Sequence, residues 1–536
     1  MAVLARLKQT KPIRPPAGLD PRAVRPPNLR YVYTLTAFVS LGGFLFGWNQ
    51  GAMGMIIADA RWIALMQPSS DWAVGFVVSV YNISCAIGAL FVGALADLYG
   101  RERTLSLASL LTICGALVQA LSATLTQMTL GRFIIGLGIG AFAAGVPLYI
   151  SEISPPELRG RIVGIELMIL CFAEMVVFFV DYACFFLPLD GWWRIPLGLQ
   201  VIPAVVMAIG CWKSSWVPPS PRWLVAQERY DCALEVLTRL HGSAAAEVEM
   251  QEIRATLEEE EEEQLTVHGT SSLTIARGSN NNGSSRSWSD MFRGPVLRVT
   301  LLGAGIQFLQ QITGTNAIFY YTPQLFRNGG ITDPTVANLA TAGVGVVLFL
   351  SAWIPIFFFD RLGRKTWLQL GLVGMFTALL GIAFLQRHAE THPGDARNYV
   401  IIAFPFLFFT SFNMSWSSGS WTYAAEIFPI SLRAKGNALC TASLWISNFI
   451  VAQVTPPIMT AISWGLYLIL AAINVGAFIF VRYCLVETRG KTLEEMAHLF
   501  GIEEKHGDDA QASRSSERRE LLADNLIDDE DDEGEV

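Results

Sequence analysis

The residues from Gln307 to Tyr321 read Gln-Phe-Leu-Gln-Gln-Ile-Thr-Gly-Thr-Asn-Ala-Ile-Phe-Tyr-Tyr. They lie in an apolar segment with no charged residue between Arg298 and Arg327. A helix needs about 20 mostly apolar residues to cross a hydrocarbon core about 30 Å thick. The segment is long enough, so we predict a membrane-spanning helix here.

Three large amides interrupt this apolar segment, namely Gln310, Gln311 and Asn316. Lipid offers no hydrogen-bond partner to a carboxamide, so these side chains are expected to face the protein interior or a water-filled cavity. Together with Tyr320 and Tyr321 they are suited to bind a neutral polyhydroxylated solute, through hydrogen bonds and ring stacking. Hydrogen bonding between neighbouring helices is the alternative interpretation.

The composition of the whole chain predicts an integral membrane protein. Of its 536 residues, 52% are apolar and only 16% are charged. Acidic runs at 258–263 and 528–533 argue against a nucleic-acid partner. The eight cysteines show no paired spacing, and the six histidines lie outside the apolar segments. No nucleophile set or phosphate-binding loop is present, so we expect no enzyme activity, no cofactor and no metal site.

About twelve apolar segments are long enough to span a bilayer, in two sets of six. The short links between the apolar segments are basic on alternate sides of the membrane. Because basic links favour the cytoplasmic side, both termini are expected in the cytoplasm. A plasma-membrane location is expected, and an endosomal or vacuolar membrane is the alternative. The predicted division is a cytoplasmic arm at 1–30, a first six-helix bundle at 31–213, a cytoplasmic loop with short helices and a flexible linker at 214–297, a second bundle at 298–485 and an acidic cytoplasmic tail at 486–536.

Two charged motifs occur at matching places in both halves of the chain. Gly-Ala-Leu-Ala-Asp-Leu-Tyr-Gly-Arg at 93–101 recurs as Asp-Arg-Leu-Gly-Arg-Lys at 360–365, and Glu-Ile-Ser-Pro at 152–155 recurs as Glu-Ile-Phe-Pro at 426–429. Acidic residues beside arginines at helix ends predict charge clusters that latch one conformation, although the arginines also serve to set topology. The latch residues would be Asp97, Arg101, Glu152, Arg159, Asp360, Arg364, Glu426 and Arg433.

The pattern Gln-Gln-x-x-Gly-x-Asn-x-x-x-Tyr-Tyr at 310–321 resembles the seventh transmembrane helix of the sugar porters, a branch of the major facilitator superfamily. Further matching segments lie at 42–51, 132–140, 193–200, 220–224 and 487–492, and the resemblance to fungal and plant monosaccharide and polyol carriers covers about residues 31–495. It implies an all-α integral membrane fold of 12 transmembrane helices in two pseudo-symmetric six-helix bundles. It also implies transport by alternating access, with the solute bound between the bundles.

The resemblance assigns the solute-binding residues, which would be Gln310, Gln311, Asn316, Tyr320, Tyr321, Trp421, Trp445 and Asn448. Three amides expected in the family are replaced here by Leu167, Leu348 and Leu444, which indicates either a changed substrate or weak affinity. The tenth helix also lacks the usual Gly-Pro break after Trp416, so we expect it to be stiffer than in relatives.

Proton coupling is the second point of departure from the family. Asn49 stands where proton-coupled relatives carry an aspartate beside the arginine that corresponds to Arg132. An amide does not titrate, so Asn49 favours facilitated uniport. Glu174, with Glu166 on the same segment, is a candidate to replace the aspartate as proton carrier, and Glu174 is at a depth that permits a pair with Arg132. Proton symport and uniport therefore both stay open.

The sequence thus predicts a carrier of a monosaccharide, a deoxysugar or a polyol. A non-transporting sugar sensor and a carrier of a quinate-like cyclic hydroxy acid are the alternatives. The expected partners are the solute, protons in the case of symport, and the lipid bilayer. The carrier is expected to be a monomer.

Overall fold

A computed structural model of the chain describes residues 28–155, 158–213, 216–243, 245–257, 291–355, 363–428, 432–488 and 499–500. The predicted linker around the acidic run at 258–263, most of the N-terminal arm and most of the acidic tail lie outside the described residues. The described part is helical, as predicted. Because every backbone polar group of a lipid-exposed segment must be bonded within the protein, a helix is the expected solution for these apolar sequences.

The first half of the chain forms nine helices in the described residues, followed by short helices of the central loop. They are α1 (Leu29–Val39), α2 (Leu41–Ala58), α3 (Ala60–Met66), α4 (Asp71–Tyr99), α5 (Arg101–Ala120), α6 (Leu125–Ile153), α7 (Arg159–Phe185), α8 (Arg194–Leu199) and α9 (Val201–Trp212). The loop contains α10 (Pro221–Ala226) and α11 (Tyr230–His241), and residues 245–257 are helical as well. The helices α1 and α2 make one span, and so do α8 and α9.

The second half follows the same plan with two interrupted spans. Its helices are α12 (Gly294–Ile312), α13 (Thr315–Asn328), α14 (Pro334–Ser351), α15 (Arg364–Thr391), α16 (Ala403–Phe412), α17 (Ser418–Ile427), α18 (Arg433–Ile462) and α19 (Gly465–Tyr483). A 3₁₀ helix (Ala396–Ile402) leads into α16, and a π-helical turn (Asn413–Ser417) joins α16 to α17.

Within the described residues, eleven helices are long and apolar enough to cross a membrane. The pair α12 and α13 provides one more span, which is broken at Thr313 and Gly314. The single helix predicted over Gln307 to Tyr321 is therefore wrong in this detail. Gly314 has φ of 111°, a conformation that favours glycine, and the hydroxyl of Thr313 donates to the carbonyl of Gln310. This local geometry ends α12 before α13 begins.

Close helix packing in the first half depends on small residues. A Cβ atom added to Gly138 of α6 would lie 2.6 Å from the carbonyl oxygen of Ala108 on α5. One added to Gly115 of α5 would lie 2.5 Å from the backbone nitrogen of Ile135 on α6. In lipid, helices associate through van der Waals packing, so small residues let the two backbones approach.

The two halves meet at the end of the bundle where α2 ends and α4 begins, here called the α2–α4 end. Gln453 of α18 donates from Nε2 to the carbonyl of Trp72 (3.0 Å) and accepts from the hydroxyl of Ser79 (2.7 Å). Arg327, in the last turn of α13, donates to the carbonyl of Ala58. These contacts hold the halves together at the α2–α4 end, away from the predicted charge clusters.

Candidate functional site

The three amides of α12 and α13 are buried and held in a defined arrangement. Gln310 donates from Nε2 to the carbonyls of Trp416 (3.0 Å) and Ser417 (3.4 Å), and Asn316 donates from Nδ2 to Oε1 of Gln311. The nitrogens of Gln310 and Asn316 thus bond within the protein. Their oxygens, Gln310 Oε1 and Asn316 Oδ1, are buried without a hydrogen-bond partner among the described residues. The arrangement presents acceptors suited to hydroxyl donors.

The π-helical turn lies directly against Gln310 and interrupts the tenth span, whereas the greater stiffness expected of this span stays a prediction. Asn413 donates to the carbonyl of Leu348 (2.9 Å) and to the hydroxyl of Ser351 (3.1 Å), while Ser415 donates to the carbonyl of Ser411 (2.6 Å). Serine hydroxyls that bond to the carbonyl four residues earlier bend helices. The tenth span is therefore distorted without a Gly-Pro pair, because polar side chains provide the replacement bonds.

The aromatic residues predicted for the site occupy different environments. The Tyr321 hydroxyl donates to the carbonyl of Ala452 (2.9 Å), whereas the buried Tyr320 hydroxyl has no partner in the part of the chain that is described. Trp445 packs on Phe46 of the first half, with ring centroids 6.0 Å apart. Trp421 is 46% exposed. The structure thus brings Tyr321 and Trp445 into interhelical contacts.

The remaining predicted amide is Asn448, and three leucines stand where further amides were expected. Asn448 of α18 is buried, and its Oδ1 has no partner among residues with a described position. Leu348 and Leu444 are buried, and Leu167 is 37% exposed. These three positions contribute only apolar surface where the family pattern has amides.

Asn49 is bonded to a residue that the sequence analysis did not single out. Its Nδ2 donates to Oε1 of Gln200 (2.7 Å) and to the carbonyl of Leu45 (3.0 Å). Gln200 is fully buried between α8 and α9. In the sequence, Gln200 is a lone amide in an apolar span, which indicates a buried hydrogen bond. It was noted only as the last residue of the matching segment 193–200.

Arg132 of α6 is also fully buried. Its guanidinium carbon lies 4.4 Å from the centroid of the Tyr81 ring, and Nη1 donates to the carbonyl of Asn49 at 3.4 Å. No carboxylate within the described residues lies within ion-pair distance of it. The pair of Arg132 with Glu174 that the helix positions allowed is not formed in this conformation.

Three carboxylates lie along α7, and all are buried: Glu166, Glu174 and Asp181. A Cβ atom added to Gly43 of α2 would lie 2.9 Å from Oε1 of Glu166, so Glu166 faces the first span. A Cβ atom added to Gly345 of α14 would lie 3.6 Å from the backbone carbonyl oxygen of Glu174, so this turn of α7 packs against the second half. Both carboxylate oxygens of Asp181 lack a partner among the described residues.

The predicted charge clusters form ion pairs inside each half. Arg101 contacts Glu152 from Nε (3.0 Å) and Asp97 from Nη1 (3.0 Å), and in the second half Arg364 contacts Glu426 (3.1 Å). Asp360 and the side chains of Arg159 and Arg433 lie outside the described residues. The pairs join helices of the same half, so they brace each bundle, and a latch function stays a prediction.

The comparison with known proteins decides the family. A family model described as "Sugar (and other) transporter" matches residues 35–500. The chain belongs to this family. It is accordingly a multi-pass integral membrane transporter and not an enzyme.

Two similar curated relatives are fungal members of this transporter family. One is the MFS glucose transporter mfs1 of Aspergillus flavus, 31% identical over 497 residues, which cover 88% of this chain and 89% of the relative. The other is the high-affinity glucose transporter of Kluyveromyces lactis, 31% identical over 494 residues, covering 88% and 86%.

Solved structures of the xylose transporter XylE from E. coli share the fold. Its inward-open conformation superimposes with a TM-score of 0.70 at 24% identity, covering 87% of this transporter and 99% of XylE. The predicted fold of 12 helices in the major facilitator arrangement is thereby confirmed.

Proposed function

We propose that this transporter moves a small neutral polyhydroxylated solute, such as a monosaccharide, a deoxysugar or a polyol, by alternating access. The buried acceptors Gln310 Oε1 and Asn316 Oδ1 carry the proposal, because a solute hydroxyl supplies the donor that each lacks. The names of the relatives, which describe glucose transporters, support a sugar-like solute. Gln311, Tyr320, Tyr321, Trp421, Trp445 and Asn448 are the other proposed solute contacts.

The three leucines favour a solute with fewer hydroxyls than glucose. Leu167, Leu348 and Leu444 supply no hydrogen bond, and a net hydrogen bond contributes about 0.5–1.5 kcal/mol. A hydroxyl placed against such a leucine would lose its water without gaining a partner. A pentose, a deoxysugar or a polyol of three or four carbons avoids part of this cost.

Two modes of coupling have distinct support. The hydrogen bond between Asn49 and Gln200 joins two amides that do not titrate, which favours facilitated uniport. The buried carboxylate of Glu174, in the middle of the membrane-spanning helix α7, favours proton symport. We propose uniport as the first mode to test and Glu174 as the proton carrier if the flux proves to be coupled.

Uptake by proteoliposomes of a labelled panel tests the proposal. The panel holds a hexose, a pentose, a deoxysugar, a polyol and quinate, each measured with and without an inward proton gradient. Equilibration that ignores the gradient is expected for uniport, and accumulation above equilibrium only with the gradient would indicate symport. Absence of flux for every neutral solute would contradict the proposed function and favour a sugar sensor or, if quinate alone enters, a hydroxy-acid carrier.

Replacing Glu174 by glutamine separates the two modes. If the carrier is a symporter driven through Glu174, gradient-driven accumulation is expected to vanish while counterflow of solute persists, because exchange needs no net proton movement. The pH profile of uptake from pH 5 to 8 should flatten at the same time. Asp181→Asn on the same helix is the matched control. An unchanged pH profile in Glu174→Gln would remove Glu174 from the mechanism.

A further inference from the structure

We propose that a cleft at the α2–α4 end of the second half binds the head group of a phospholipid that carries a primary ammonium. The cleft has a volume of about 530 Å³ and lies where α15 and α18 end and α19 begins. Its lining contains none of the residues proposed to contact the solute, so this inference does not depend on what the carrier transports. The residues of the lining that decide its chemistry are Glu390, Thr460, Trp464 and Leu468.

The end of α18 presents carbonyl groups to this cleft. The last four carbonyls of a helix have no partner within the helix. In α18 the Ser463 N–H donates to the carbonyl of Met459 (3.0 Å), while the carbonyls of residues 460–462 accept no backbone hydrogen bond from the described residues. These three residues line the cleft. The C-terminal end of a helix is also the negative end of its dipole, so this wall favours a cation that donates hydrogen bonds.

A carboxylate adds a full negative charge to the same cleft. Glu390, in the last turn of α15, is exposed and forms no ion pair with a described residue. A primary ammonium has three N–H donors, which Glu390 and the carbonyls of α18 share between them, whereas a trimethylammonium has none. The polar groups of the cleft therefore favour an ethanolamine head group over a choline head group.

A cation beside the cleft is positioned for the phosphate of the same head group. Arg387 precedes Glu390 by one turn of α15, and its guanidinium carbon lies 4.8 Å from the centroid of the Trp464 ring. Arg387 is exposed and forms no ion pair with a carboxylate in the described part of the chain. A guanidinium stacked on a ring donates in its own plane, in a geometry that matches two phosphate oxygens. The cleft and its rim thus complement both charges of a zwitterion.

Exposed apolar side chains continue from the cleft toward the middle of the bundle. On α19 they include Leu468, Val475 and Ile479, and on α15, which packs against α19, they include Phe384 and Val373. From Leu468 to Ile479 the helix rises by about 16 Å, which is the depth of one leaflet of a hydrocarbon core about 30 Å thick. Acyl chains cover these rows when the head group occupies the cleft, which favours a lipid over a soluble zwitterion.

Thermal unfolding of the full-length protein in detergent micelles tests the site. Dioleoyl phosphatidylethanolamine, phosphatidylcholine or phosphatidylglycerol is added at matched mole fractions, and Tm is followed by tryptophan fluorescence. Phosphatidylethanolamine is expected to raise Tm saturably, by about 1–3 °C more than either of the other lipids does. Equal rises with all three lipids, or no rise with any of them, would overturn the proposal. An equal rise with soluble phosphoethanolamine, which has the head group without acyl chains, would also overturn it.

Two variants assign the effect to this cleft. Glu390→Gln keeps the size of the side chain and removes its charge, so the rise with phosphatidylethanolamine is expected to fall to that with phosphatidylcholine. Arg387→Gln should reduce the rise with both zwitterionic lipids, since both carry the phosphate. Asp190→Asn is the matched control, because it removes an exposed carboxylate at the same end of the first half. A rise in Glu390→Gln as large as that in Asp190→Asn would exclude the cleft as the lipid site. Both substituted positions are exposed, so Tm without lipid should change little.

Discussion

Replacing Gln311 by alanine is expected to lower kcat/KM for a neutral polyhydroxylated solute by about 10- to 100-fold. The variant loses the proposed contact of Gln311 with the solute. It also removes the acceptor of the Asn316 amide, so Asn316 no longer has a fixed orientation in which Oδ1 meets a solute hydroxyl. Two disturbed contacts of about 0.7–1.4 kcal/mol each give this range, since about 1.4 kcal/mol corresponds to a factor of ten.

Initial rates of uptake in proteoliposomes provide the measurement, with Tm as the check on folding. Asn328→Ala is the matched control, because it removes an exposed amide at the end of the neighbouring helix α13. Rates for Gln311→Ala within twofold of those of Asn328→Ala would contradict the proposed position of the solute. A fall in Tm alone, without loss of rate per folded protein, would assign Gln311 a packing role.

Replacing Arg101 by alanine is expected to reduce the free energy of unfolding by about 3–5 kcal/mol. The Arg101 side chain is 10% exposed and that of Glu152 is 8% exposed, so the variant leaves a buried carboxylate without its partner. Arg101 also donates to the carbonyl of Ala96 near the end of α4, and this bond is lost as well. The expected result is a large fall in Tm before any effect on solute binding is considered.

Thermal unfolding in detergent measures this effect, with Arg103→Ala as the control. Arg103 is exposed, and removal of an exposed charge usually changes stability by no more than about 0.5 kcal/mol. The double variant Arg101→Met, Glu152→Leu should recover most of the loss, because apolar residues can replace a buried ion pair. If Arg101→Ala and Arg103→Ala unfold at the same temperature, the ion pair does not brace the first half.

The number and length of the spans could be predicted from sequence because lipid imposes a simple requirement of about 20 apolar residues. The break at Thr313 and Gly314 was missed, since both residues fit an apolar helix and only the φ of Gly314 shows the interruption. The π-helical turn was missed for a similar reason. Its bonds from Asn413 to Leu348 and Ser351 join residues more than 60 positions apart, as do the bonds of Gln310.

The environment of Arg132 illustrates the same limit at the candidate site. The sequence identified Arg132 and Asn49 as residues of interest, and helix geometry allowed a pair with Glu174 at similar depth. Depth does not fix the direction of a side chain around the helix axis. Only the packing of the helices shows that the Arg132 guanidinium lies over the Tyr81 ring of α4, with no carboxylate of the described residues within ion-pair distance of it.

The bond of Gln310 to the π-helical turn has a thermodynamic consequence. Its amide nitrogen holds the carbonyls of Trp416 and Ser417, so a solute that takes this nitrogen as a donor competes with the bend of the tenth span. Solute affinity and the bending of the tenth span are then thermodynamically linked. If straightening of this span changes the solute affinity by some factor, solute binding changes the equilibrium between its bent and straight forms by the same factor. A solute whose hydroxyls only donate to Gln310 Oε1 does not change the equilibrium between the bent and straight forms. Such a solute and one that accepts from Gln310 Nε2 would therefore differ in how readily they permit the carrier to change conformation, even at equal affinity.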